Sequence, residues 1–130
     1  MSIPERDIIV PVMSKQGQIL IVDDDEEIRS FLGELLQDEG YTVESAEDGL
    51  AALKKLEEVH PDLILLDIMM PRMDGYRFAE ALHRRGLLIP FIVLSANLRE
   101  QQAKAMGACS YIAKPFDLLE LLEKIDQCAG

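Results

Sequence analysis

Four short apolar runs, each delivering a polar or charged side chain at its C-terminal end, constrain this chain more than any other feature. The runs are Ile19-Leu20-Ile21-Val22, Leu63-Ile64-Leu65-Leu66, Phe91-Ile92-Val93-Leu94 and Tyr111-Ile112-Ala113. The residues that follow them are Asp23-Asp24, Asp67, Ser95 and Lys114. Continuous apolar runs of this length read as strands buried on both faces, the pattern of a parallel sheet. In an open α/β sheet, ligands bind in the crevice beyond the carboxyl ends of the strands. Residues far apart in sequence are therefore expected to meet at one edge. Three carboxylates, a hydroxyl and an ammonium would converge there, a set suited to a divalent cation and a phosphoryl group.

Between the runs the pattern is helical. A helix is predicted from about Glu26 to Glu39, with Ile28, Phe31, Leu32, Leu35 and Leu36 on one face and Gly40 as its stop. Thr42 to Ala46 reads as a short second strand. Further helices are predicted over about Leu50–Glu58, Asp74–Arg85, Arg99–Met106 and Leu118–Gln127. Five strands alternating with five helices predict a single (βα)5 doubly wound α/β domain, a parallel sheet with helices on both faces. Spacing leaves the strand order open. The flavodoxin-like order 2-1-3-4-5 is expected, and it puts the switch point between strands 1 and 3, which carry Asp23-Asp24 and Asp67.

Residues 1–17 read as an N-terminal arm, residues 18–128 as the domain, and no output domain is expected within the chain. Met13-Ser14-Lys15 looks like an alternative start. The 130 residues fit one core, and an apolar share of 48% is enough to build it. With 24 acidic against 13 basic residues the formal charge is −11, which argues against direct nucleic-acid binding. The apolar runs are too short to cross a membrane, and the N-terminus lacks the layout of a secretion signal. A cytoplasmic protein is expected, and in that compartment Cys109 and Cys128 are expected to be reduced thiols. The acidic run Asp23–Glu27 also suits the positive end of a helix dipole. His60 and His83 read as surface residues beside helix ends, and Met69, Met70 and Met73 as loop packing.

Magnesium is a hard cation held by carboxylates, waters and phosphate oxygens. Asp24 and Asp67 are candidate ligands, with Asp23 binding through water and the backbone carbonyl of Met69 adding a further oxygen. Mn²⁺ is a plausible substitute. A carboxylate can act as a nucleophile and form an acyl phosphate, and Asp67, at the end of the central strand, is the candidate. Catalysis of such a transfer is mostly positioning and electrostatic stabilisation. Lys114 would hold one phosphoryl oxygen as a point charge, and Ser95 would hydrogen-bond another. A cis Lys114-Pro115 bond would aim the lysine into the site, although cis bonds are a minority of X-Pro bonds.

Taken together, Ile21-Val22-Asp23-Asp24-Asp25-Glu26, Leu65-Leu66-Asp67-Ile68-Met69-Met70-Pro71-Arg72-Met73-Asp74-Gly75, Val93-Leu94-Ser95-Ala96 and Tyr111-Ile112-Ala113-Lys114-Pro115-Phe116 resemble the receiver (CheY-like) domain of two-component response regulators. The resemblance covers about Gln18 to Gln127. It implies that Asp67 is the phosphoacceptor for a sensor histidine kinase or a histidine phosphotransfer protein. It implies that Asp23 and Asp24 bind Mg²⁺, that Ser95 is the switch hydroxyl and that Tyr111 is the switch aromatic. Lys114 resembles the motif lysine, followed by a cis proline. The implied protein is a signalling phosphoacceptor, not a turnover enzyme, that promotes its own phosphorylation and dephosphorylation. Its readout surface would be helix 4, strand 5 and helix 5, offered to a downstream protein, a missing output domain or a second copy in a phosphorylation-dependent homodimer.

Two details depart from the family pattern. The segment between Ser95 and Gly107 is short by roughly one helical turn, about 3.6 residues, which alters the length and offset of the fourth helix and bears on the readout and dimer surface. Met69, two residues after Asp67, is bulky and cannot orient an attacking water, which predicts slow self-dephosphorylation. An aspartyl-phosphate hydrolase would share the nucleophile and the cation, but it would want a second carboxylate at position 69 and a cap domain. A receiver-like scaffold acting without phosphorylation is the alternative reading.

Overall fold

The computed structural model describes residues 17–129. The expected arm and the alternative start at Met13 lie outside the described residues, apart from Gly17. Ten elements alternate in chain order: β1 (Gln18–Val22), α1 (Glu26–Asp38), β2 (Thr42–Ala46), α2 (Gly49–Lys55), β3 (Leu63–Asp67), α3 (Gly75–Arg84), β4 (Phe91–Ser95), α4 (Glu100–Ala105), β5 (Ser110–Ala113) and α5 (Leu118–Ala129). The strands pair in parallel in the order β2-β1-β3-β4-β5. This is the flavodoxin-like arrangement expected from the alternation.

Side chains alternate across each strand, and the core divides accordingly. Leu20, Val22, Ile64, Leu66 and Val93 pack with α2, α3 and α4 through residues such as Leu53, Phe78 and Ala103. Ile19, Ile21, Leu63, Leu65, Ile92, Leu94 and Ile112 pack with α1 and α5 through Leu32, Leu36, Leu121 and Ile125. β1, β3 and β4 are therefore buried on both faces, which is why they carry no alternation in the sequence. α1 turns Leu32 and Leu36 inward, but Phe31, expected on the same face, is 58% exposed. Helices α1, α3 and α4 each end before a glycine with positive φ, namely Gly40, Gly86 and Gly107, the C-terminal stop that lacks a Cβ penalty.

The helix of the shortened segment runs only from Glu100 to Ala105. Arg99 N–H donates to Gln102 Oε1 (2.9 Å) at its start. Ala108 N–H donates to Ala103 O (3.1 Å) at its end, and Cys109 N–H then donates to Phe91 O (2.8 Å). Those bonds deliver the chain into β5 in register with β4, from Ile92↔Ser110 to Ser95↔Ala113.

One expectation is overturned here. Cys109 and Cys128 are joined by a disulfide, their Cα atoms 6.0 Å apart. The 19-residue separation hides a return path. β5 carries the chain about 13 Å toward the site edge, and α5 carries it about 18 Å back. The last turn of α5 is thereby level with the residue that precedes β5.

Candidate functional site

The site is built at the C-terminal edge of the sheet, where β1 and β3 lie side by side. Asp23 directly follows β1. Its backbone is tied sideways, its N–H donating to Ala46 O (3.1 Å) and its carbonyl accepting from Arg29 Nη1 (2.7 Å). Its carboxylate is 1% exposed, and Oδ1 accepts from Asp25 N–H (2.9 Å). Asp25 caps α1, accepting from the amides of Glu27 and Ile28. The acidic run thus serves both as a helix start and as a site, with Asp24 exposed between these two roles.

Asp67 is the last residue of β3 and is 7% exposed. α3 begins directly behind it. Gly75 N–H donates to Ile68 O (2.8 Å), and a Cβ at Gly75 would fall 2.6 Å from the Asp67 carbonyl oxygen. Only glycine permits that approach. Carboxylate oxygens of Asp23, Asp24 and Asp67 come within 4.8 Å of one another. Lys114 reaches in from the end of β5, with Nζ 2.9 Å from Asp23 Oδ2 and 3.5 Å from Asp67 Oδ1. The Lys114-Pro115 bond is cis.

Charge is unbalanced in this cluster, with three carboxylates facing one ammonium. Burial, then the neighbouring Asp23, push the Asp67 carboxyl from its ordinary 3.8 up to about 6, against the pull of Lys114 and the Ile68 amide; Asp24 adds a smaller push upward. Burial alone would lower Lys114, but its hydrogen bond to Asp23 and the charges of Asp23 and Asp67 outweigh this and hold it above its usual value. A compact set of hard oxygen donors with a surplus of negative charge fits a divalent cation such as Mg²⁺.

Ser95 ends β4 and is 4% exposed. Its Oγ accepts from Asn97 N–H (3.2 Å), and its carbonyl accepts from Lys114 N–H (2.9 Å). Tyr111 pairs with Val93 in the sheet and packs half-buried on the face covered by α2, α3 and α4. Ser95, two residues beyond Val93, shares that face. Met69 is 70% exposed in the β3–α3 loop. The edge therefore brings Asp23, Asp24, Asp67 and Lys114 into one cluster. Ser95 stands at its side on an adjacent strand, and Tyr111 is set back toward α4.

Sequence reasoning missed what holds the β3–α3 loop. Arg72 in that loop is ion-paired with Glu47 and Asp48 of the β2–α2 turn. A basic residue in a loop carries no signal of its partner. The Asp48-Gly49 pair does signal a helix start, and Asp48 is the cap of α2.

The chain's similarities agree with this geometry. Residues 19–126 match the family model described as the response regulator receiver domain. The chain is 41% identical over 111 residues to the response regulator MprA of Mycobacterium ulcerans, covering 83% of this chain and 48% of that protein. It is 34% identical over 129 residues to the alkaline phosphatase synthesis transcriptional regulatory protein SphR of Synechococcus elongatus, covering 90% of this chain and 50% of that protein. It thus spans about half the length of the curated relatives it matches. Among solved structures, the chemotaxis protein CheY4 of Vibrio cholerae superposes with a TM-score of 0.80 at 34% identity, over 87% of this chain and 98% of that one. A response regulator from Chloroflexus aurantiacus gives 0.82 at 29% identity, over 88% and 98%. Sheet order, the acidic edge and these matches agree: the chain belongs to the receiver-domain family of two-component response regulators.

Proposed function

We propose that Asp67 takes a phosphoryl group from a phosphohistidine on a sensor histidine kinase or a histidine phosphotransfer protein, within a receiver unit spanning residues 18–128. The observation that carries this reading is the meeting of Asp23, Asp24, Asp67 and Lys114 at one sheet edge. An Asp67 carboxylate oxygen bonds to phosphorus as the donor's N–P bond breaks, and the imidazole nitrogen leaves with the electron pair. Asp23, Asp24 and Asp67, with the carbonyl of Met69, would hold Mg²⁺, or Mn²⁺ in its place. The ion supplies charge neutralisation for the incoming phosphoryl oxygens. Lys114 stabilises a second oxygen, moving its ammonium from Asp23 toward the phosphoryl group. Ser95 donates a hydrogen bond through its O–H to a third, while its lone pairs stay open to Asn97 N–H. Tyr111, on the same sheet face, follows Ser95, and the surface of α4, β5 and α5 changes its preferred state. The downstream partner is a separate protein or an output domain.

Intact mass after treatment with acetyl phosphate and Mg²⁺ tests this. The wild type is expected to gain one phosphoryl group, and both Asp67→Asn and chelator-treated wild type none. Uptake by Asp67→Asn, or no uptake from acetyl phosphate and from a phosphohistidine donor by folded wild type, would refute it.

Met69 bears on the reverse step. Its thioether is a weak acceptor with no donor, so it cannot hold a hydrolytic water against the phosphoryl group. The phosphorylated form is expected to persist for minutes or longer without a phosphatase, and Met69→Asn to shorten that by about tenfold. A wild-type lifetime of seconds would remove the argument.

A further inference from the structure

The β3–α3 loop from Ile68 to Asp74 is fastened at three places. Gly75 N–H closes its base on Ile68 O (2.8 Å). Gly49 N–H donates to Met73 O (3.1 Å), and a Cβ at Gly49 would fall 2.6 Å from Met73 Cγ, so the start of α2 is seated against the loop. The third fastening is Arg72, whose Nη2 lies 2.6 Å from Glu47 Oε2 and also pairs with Asp48 Oδ2.

Arg72 takes an unusual backbone conformation beside that bridge, at the centre of a tight turn in which Met73 N–H donates to Pro71 O (2.6 Å). Its φ is +63°, the one positive value of a non-glycine among the described residues. Such a conformation persists where the surroundings over-determine it. Asp48 adds a side-chain hold to the local turn. Its side chain is fully buried, Oδ1 caps α2 by accepting from Ala51 N–H (2.8 Å), and Oδ2 meets the Arg72 guanidinium as its one polar partner among the described residues. The Arg72 guanidinium is what compensates that buried oxygen, and an uncompensated buried carboxylate is costly. The span left between the fastenings is Met69 and Met70, since Pro71 O already accepts from Met73 N–H (2.6 Å). Met69 is largely exposed, so packing of its own side chain does not fix its carbonyl.

We propose that Arg72, anchored on buried Asp48, is a positioning residue that sets the β3–α3 loop so that the Met69 carbonyl faces the cation site. Arg72 acts through the backbone and touches neither the cation nor the phosphoryl group. The inference deepens the cation reading given above and rests on it.

The test is the Mg²⁺ dissociation constant of the full, unphosphorylated chain by titration calorimetry, beside the thermal midpoint. The decisive variant is Arg72→Ala combined with Asp48→Asn. It leaves net charge unchanged, keeps a capping oxygen on α2 and buries no unpaired carboxylate. It is expected to melt near the wild type and to bind Mg²⁺ about tenfold more weakly, the scale of losing a group that orients a ligand. Arg72→Lys, which keeps one cationic contact to the pair, is expected to recover part of the affinity. A folded double variant that binds Mg²⁺ within twofold of the wild type overturns the positioning role alone. A wild type that binds no Mg²⁺ overturns the cation reading and this inference with it.

Discussion

In metal-free protein at pH 7, Asp67→Asn is expected to raise folding stability by about 1–2 kcal/mol, although the same change abolishes the phosphoryl uptake expected with Mg²⁺. The folded state holds the Asp67 proton up to about pH 6, whereas the unfolded chain releases it near the ordinary 3.8. Between those values the folded state binds more protons, so stability falls as pH rises through the window, and above it the whole deficit is present. The pKa difference sets a ceiling of about 3 kcal/mol. Asparagine removes that deficit, which is already net of the Lys114 attraction, but still buries a polar amide without a matched partner set, which brings the gain down. Urea unfolding in chelator at pH 7 and at about pH 4.5 checks this. The advantage should shrink at the lower pH, where wild-type Asp67 carries a proton. Added Mg²⁺ should stabilise the wild type more than the variant, by mass action on a better site. An equal gain at both pH values would mean that the carboxylate charge is not what destabilises the site.

Reduction of the Cys109–Cys128 bond is expected to cost about 3 kcal/mol, from the chain entropy that a closed loop of this length removes from the unfolded state. For a domain of this size that lowers the thermal midpoint by on the order of 10 °C. Cys109 is exposed and Cys128 half-buried, so a small thiol reaches the bond without unfolding the domain. Melting with and without reductant, alongside a Cys109→Ser/Cys128→Ser variant, reads the effect. The reduced wild type and the double variant should melt together, below the oxidised wild type. Coincident oxidised and reduced melts would remove the stabilising role.

The buried strands were legible because β1, β3 and β4 are covered on both faces and leave uninterrupted apolar runs. The site was legible because a parallel sheet brings those runs to one edge, so Asp23, Asp24, Asp67 and Lys114 could be assembled without coordinates. Strand order was available only as an expectation, since right-handed crossovers allow more than one order. What stayed hidden depends on distance between loops. Nothing in Arg72 points to Asp48, 24 positions earlier in the sequence, and nothing in Cys109 announces that α5 returns Cys128 to its side. Phe31 failed for a smaller reason, as α1 buries only Leu32 and Leu36 of its apolar stripe and leaves Phe31 at the exposed margin. Residue 72 shows the limit of local propensity, because the tight turn from Pro71 O to Met73 N–H places an arginine at positive φ.

β5 is a four-residue bar held at both ends. At the site end, Lys114 crosses in front of β4 and β3 to grip Asp23 just past β1. At the far end the disulfide fastens the bar to the last turn of α5. A rod so short and so clamped has little room to bend. β5 is also paired with β4 along its length, so the holds on Lys114 and on the last turn of α5 meet in one short strand. Reduction removes that rear clamp and leaves the β4 ladder and the Cys109 N–H bond to Phe91 O as the holds on this end of the strand.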